Sequence, residues 1–126
     1  MRLSMLAVST SILAGCIGPA APDASTFARE VENRVAGPTQ SCIAANSSDS
    51  LRVLDRQTLA YGFGSTIFVN RLSAPCPGLS ASNTIVVLAS TGAQYCRGDQ
   101  VRGVEAGATI PGPACTLESW VPYRRP

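Results

Sequence analysis

A small, mainly β domain is what this chain predicts, and three observations predict it. The runs between Ser41 and Tyr123 are short, apolar or β-branched, and divided by turn residues; four cysteines are spread through the same stretch; and only one segment ahead of it has a helical period. The expected architecture is a disulfide-stapled antiparallel barrel or sandwich of about seven short strands, preceded by one amphipathic N-terminal helix.

Taken in order, residues 25–37 carry the helix. Asp23, Ser25 or Thr26 can cap it, Phe27, Val31 and Val35 fall at i, i+4 and i+8, Glu30 stands four residues before Arg34, and Gly37 and Pro38 stop it. Residues 41–123 then read as strands. Leu51 to Leu54, Thr58 to Phe63 and Thr66 to Leu72 are separated by Asp55-Arg56-Gln57 and by Gly62 and Gly64, which gives a meander with tight connections. Pro75, Pro77 and Gly78 break the pattern. Thr84 to Ala89 is a continuous apolar run, suited to a strand buried on both faces. Gln94 to Cys96 and Gln100 to Val104 are shorter strands around an Arg97-Gly98-Asp99 turn. Ala106 to Pro113 is a Gly/Pro loop, and Cys115 to Tyr123 is expected as one last strand carrying Trp120 and Val121.

The start of the chain predicts export. Arg2 precedes Leu3 to Ala14, a run without charge that Gly18, Pro19, Pro22 and Asp23 cut well short of the roughly 20 apolar residues a membrane span needs. Leu13-Ala14-Gly15-Cys16 resembles the lipobox of bacterial lipoproteins. That resemblance implies a signal peptide over residues 1–15, a diacylglyceryl group (and hence palmitate-type acyl chains) on Cys16, and a lipid-anchored tether over residues 16–24. Two or three acyl chains anchor durably where one is marginal. Ile17, rather than aspartate, follows Cys16; by resemblance to the sorting rules of diderm bacteria, this implies the periplasmic face of the outer membrane. The ten basic residues are all arginine, which suggests a GC-rich genome.

Removal of 15 residues from 126 leaves 111, enough for one domain. Positive and negative charges nearly balance, and no basic block with interleaved aromatics occurs, so nucleic acid is not an expected partner. The chain has no histidine. That removes the usual general base and the commonest metal ligand together. With Cys16 assigned to lipid, Cys42, Cys76, Cys96 and Cys115 form an even set, expected to be disulfide-bonded in an oxidising compartment. No two cysteines are close enough for a zinc ribbon or a Cys-x-x-Cys redox site, and neither metal nor cofactor is expected. Four cysteines permit three pairings. The preferred one is nested: Cys76 with Cys96 across the apolar run between them, and Cys42 with Cys115 joining the two ends of the β region edge to edge.

Cys42-Ile43, Arg52-Val53-Leu54-Asp55, Val69-Asn70-Arg71-Leu72, Cys76-Pro77-Gly78-Leu79, Cys96-Arg97-Gly98-Asp99 and Ile110-Pro111-Gly112-Pro113-Ala114-Cys115 together resemble an uncharacterised family of small exported four-cysteine proteins from alphaproteobacteria. The likeness covers Ser41 to Tyr123. It implies export, one domain and the four-cysteine set, and it transfers no catalytic residue. Arg56 stands where the family's pattern often has a second acidic residue after the position of Asp55.

Two function classes follow. The first is a non-enzymatic envelope module, anchored to the bilayer through acylated Cys16 and binding an envelope protein or cell-wall component, with Tyr61, Phe68, Trp120, Arg71 and Arg102 as contacts if exposed. The second is a small acid/base, hydrolase-like enzyme that uses Asp55 and Asp99 as paired carboxylates with Glu105 nearby. Aspartate in a turn is also explained by bonding to the local backbone, so the module is the preferred reading. Arg97-Gly98-Asp99 as an adhesion tripeptide and Asn46-Ser47-Ser48 as a glycosylation acceptor are both short enough to arise by chance.

Overall fold

The computed structural model describes residues 15, 22–46, 49–80, 84–88 and 93–126, with the side chains of residues 22–25 and 84–88 outside that description. Residues 1–14, Cys16 and Ser47-Ser48 of the Asn-Ser-Ser match also lie outside it. The elements run α1 Pro22–Glu30, β1 Val35–Ala36, β2 Cys42–Ala44, β3 Leu51–Asp55, β4 Thr58–Tyr61, β5 Thr66–Arg71, β6 Thr84–Leu88, β7 Gln94–Cys96, β8 Gln100–Val104, β9 Cys115–Thr116 and β10 Trp120–Arg124. The protein is mainly β, and every strand pairing is antiparallel.

The meander is as expected: β3, β4 and β5 follow one another in a five-stranded sheet of order β1-β10-β5-β4-β3. Its tight turns have local causes. Asp55 closes the first by accepting the Gln57 N–H at 2.7 Å, and Gly62, at φ +88°, and Gly64, at φ +82°, supply the left-handed residues of the second. A two-stranded sheet (β2-β7) and a three-stranded one (β6-β8-β9) complete the domain. Among the described residues these remain three separate ladders, and no barrel closes.

Two expectations are corrected here. The helix ends at Glu30 rather than Gly37, because Asn33 takes a left-handed φ of 57° behind a last turn of tightened backbone bonds, Glu32 to Arg29 and Arg34 to Val31. The β-branched Val35 then enters β1 against Arg124, and Glu30 has Arg52 of β3 as its partner instead of Arg34. The last strand is two. β9 pairs with β8 in one sheet, β10 pairs with β5 in another, and Leu117 to Ser119 cross between them.

One core joins the three sheets. Ile43 of β2, Val53 of β3, Leu59 and Tyr61 of β4, Val101 of β8 and Trp120 of β10 form one buried cluster with Leu72, Cys76, Leu79 and Leu117. Tyr61 and Trp120, expected as contacts only if exposed, do not meet that condition: they are 2% and 0% exposed, and they are the large aromatics on which this core is built. Asn70, also fully buried, is satisfied by the chain crossing beside it; its amide donates to the Glu118 carbonyl at 2.6 Å and its carbonyl accepts from the Glu118 N–H at 2.9 Å.

The disulfides are Cys42–Cys96 and Cys76–Cys115. The set is bonded as expected, but the pairing is interleaved and the nested scheme is overturned. The reason lies in register. β2 pairs with β7, not with β9, so Cys42 stands directly opposite Cys96. Backbone bonds join Arg97 to Ser41 and Ala45 to Ala93, so the Cys42/Cys96 position is a non-hydrogen-bonded pair, where facing side chains approach most closely. Cys76 is fully buried, and its loop lies against the returning 105–114 segment. Gly78 and Gly112 permit that approach: a Cβ on Gly112 would meet the Gly78 Cα at 3.2 Å.

Candidate functional site

The sequence-derived carboxylates do not assemble into one site. Asp55 accepts from Gln57 N–H and Asp99 accepts from Cys96 N–H at 2.9 Å, so each carboxylate has one oxygen engaged in its own turn. Glu105 lines a small cleft of about 200 Å³ with Pro77, Gly78, Ile110 and Gly112, and neither aspartate lines that cleft. No group of three or more cysteine and acidic side chains that could hold a metal occurs among the described residues. No helix among them is long and apolar enough to cross a membrane.

A larger cavity, about 420 Å³, lies on the face of the five-stranded sheet turned away from the core. Alternation fixes which side chains reach it. Leu59, Tyr61, Phe68 and Trp120 point to the core cluster, so Thr58, Val69, Arg71, Val121 and Tyr123 point the other way. α1 is held on this same face. Phe27 meets Tyr123 edge-on, with ring centroids 6.1 Å apart, and Glu30 is paired with Arg52, whose guanidinium also donates to the Gly62 carbonyl and lies 4.1 Å from the Phe63 ring centre. At the other rim stand Arg97 and Glu118, 3.4 Å apart, and Ser119.

Of the expected contact residues, Arg71 is exposed and lines the cavity. Phe68 packs against the core and Arg102 is half-buried on β8, its Nε without a partner among the described residues. Arg97 is present in the cavity wall, although it drew attention in the sequence only as part of a tripeptide. Thr58, Glu118, Ser119 and Tyr123 carry no functional signal in the sequence, and Phe27 carries only a helical one. Period-two alternation ties Val69 to Arg71 and Val121 to Tyr123, and this was the available signal; what the sequence lacks is the β10–β5 pairing that sets the two strands side by side.

Electrostatically the cavity is uneven. Its lining holds two arginines and one glutamate, so it carries one net positive charge, concentrated at the end where Arg71 and the Arg97–Glu118 pair stand. The other end is Val69, Val121 and the Phe27–Tyr123 pair.

No family model, curated protein or solved structure matches this chain.

Proposed function

We propose that the protein is an exported lipoprotein, anchored through acylated Cys16 on the periplasmic side of a membrane, and that its β domain is a non-enzymatic binding module. The observation that carries the module reading is the state of Asp55 and Asp99. Each is bonded to backbone within its own turn and neither lines either of the two cavities described among these residues, while the chain supplies no histidine to act in their place. A cavity with an arginine rim and an apolar floor is instead suited to holding a ligand. Two disulfides support an oxidising compartment and hence export. The leader, the lipobox and Ile17 support the lipid anchor and the outer membrane. The motifs from Cys42 to Cys115 support membership of the alphaproteobacterial four-cysteine family, and the single core shared by the three sheets supports a sandwich-like layering.

Replacing Asp55 and Asp99 together with Asn, which keeps an acceptor in each turn, tests the module. Complementation of a knockout phenotype by the folded double variant is expected, and its loss with the fold intact would transfer the function to the acid/base alternative. The anchor is tested by intact mass: residues 1–15 should be missing, acyl mass should be present, and Cys16→Ser should abolish both. A soluble, unacylated product in the native host would refute it.

A further inference from the structure

The outer sheet face is ordered in rows. Thr58 and Arg71 are direct cross-strand partners, and because Leu72 N–H bonds the Gln57 carbonyl one step away, they form a close, non-hydrogen-bonded pair. Ser119, just ahead of Trp120 and also in the cavity lining, adds a second hydroxyl at this end. The next row is Ala60, Val69 and Val121, and the next holds Ile67 and Tyr123, with Phe27 standing on Tyr123. Polarity therefore falls from hydroxyl and guanidinium to mainly aliphatic and aromatic groups over about 13 Å, four residues along a strand.

The charges at the polar end fix the sign and number of charges on an occupant. Glu118 takes up Arg97, while Arg71 has no ion pair or hydrogen bond among the described residues. One free guanidinium beside a carboxylate suits a single negative charge and disfavours a dianion such as phosphate. Thr58 adds an independent observation: it is 0% exposed, it lines the cavity, and its hydroxyl has no partner among the described residues. An unmet buried hydroxyl is uncommon, and a ligand oxygen placed between Arg71 and Thr58 would meet it.

We propose that this cavity binds a small monocarboxylate with an apolar body, its carboxylate on Arg71 and Thr58 and its body over Val69 and Val121 toward Phe27 and Tyr123. The assignment rests on the binding-module reading. Calorimetric titration of the protein purified from its host, in lipid nanodiscs with empty nanodiscs as blank, tests it with 3-phenylpropionate, 3-phenylpropanamide and 3-phenylpropylamine, which share one apolar body and differ in head charge. The acid should bind, the amide about tenfold more weakly because a charge-assisted bond is replaced by a neutral one, and the amine not at all. Arg71→Gln should reduce the acid to the amide's affinity and Thr58→Val should weaken it severalfold, each with an unchanged circular-dichroism spectrum, whereas Arg56→Gln, outside the cavity, should change nothing. Equal binding of acid and amide, preference for the amine, an unchanged acid affinity in Arg71→Gln, or no binding of any probe overturns the assignment. Failure of the module reading shows separately, as lost complementation by the Asp55→Asn, Asp99→Asn variant whose cavity still binds the acid.

Discussion

Asn70 shows what a single buried polar residue contributes here. Its side chain mimics a strand partner for Glu118, where the chain crosses between two sheets and has no ladder of its own. Asn70→Ala would leave a donor and an acceptor of Glu118 unmet and should cost about 2 kcal/mol. Asn70→Asp should cost about 3 kcal/mol or more at neutral pH, because a buried carboxylate oxygen would replace the amide donor and face the Glu118 carbonyl. Chemical denaturation measures both, and an Asp variant as stable as the wild type would contradict the assigned amide orientation. Tyr95 gives a pH-dependent counterpart. Burial, and then the neighbouring Tyr61, raise its phenol above the ordinary 10.0. The two rings meet edge-on at 5.3 Å. Below pH 10.0 the folded and unfolded chains are both neutral at this position; above it the unfolded chain ionises first, so this contribution to stability is lost as pH rises. Tyr95→Phe should therefore lose less stability than the wild type between neutral pH and strongly alkaline pH, and parallel curves would rule this out. The sequence could not show which face Tyr61 and Trp120 take, because alternation orders the side chains of a strand without saying which side is the core. In this sheet α1 covers part of the second face as well, so polarity gave no further guide.

At the scale of elements, the meander was legible because each of its turns has a short-range chemical cause in Asp55, Gly62 or Gly64. The end of α1 was not. Val31 and Val35 continue the helical spacing, but Asn33 can adopt φ 57°, and β10 offers Val35 and Ala36 a ladder edge that no local pattern reveals. The last strand divides for a similar reason: Leu117 to Ser119 carry no turn signal and are held in their crossing by Asn70 and by the Leu117–Asp99 backbone bond. What holds α1 on the sheet is concentrated in Arg52, which pairs with Glu30, donates to Gly62 and lies over Phe63. Arg52 and Glu30 remain about a quarter exposed, so solvent discounts the ion pair. Arg52→Ala should cost only about 1 kcal/mol in global stability. Its larger effect should be local. Tryptic cleavage after Arg29 and Arg34 should accelerate while the β domain's melting temperature falls by only a few degrees. Unchanged cleavage would mean that the Phe27–Tyr123 contact alone holds the helix.

For the whole molecule, the interleaved disulfides matter more than their number. Cys42–Cys96 closes a separation of 54 residues and Cys76–Cys115 one of 39, and the two loops overlap along the chain, so neither bridge can be drawn without spanning one end of the other. The sequence left this pairing open because it depends on which strand lies beside β2, and no spacing between cysteines encodes that. In the chain-entropy account either loop is worth about 4 kcal/mol, and the longer is favoured by only about 0.3 kcal/mol, so loop length does not decide between them. Environment does. Cys42 is exposed and Cys96 half-buried on a two-stranded sheet, whereas Cys76 is 0% exposed in the core cluster beside Leu79 and Leu117. A reductant can attack the first bridge at the exposed Cys42 sulfur, whereas the second offers only the half-buried Cys115 sulfur, and attack there would release the Cys76 thiolate into the core. Graded reduction followed by alkylation and peptide mapping should label Cys42 and Cys96 first, at reductant levels that leave the protein folded, and Cys76 and Cys115 together with global unfolding. Replacing Cys76 and Cys115 by Ala should likewise cost more than replacing Cys42 and Cys96, since it adds loss of core packing to the shared loop term. Labelling of Cys76 first in a folded protein would overturn this order, and a mapped Cys42–Cys115 bridge would restore the nested pairing that the β2–β7 register excludes.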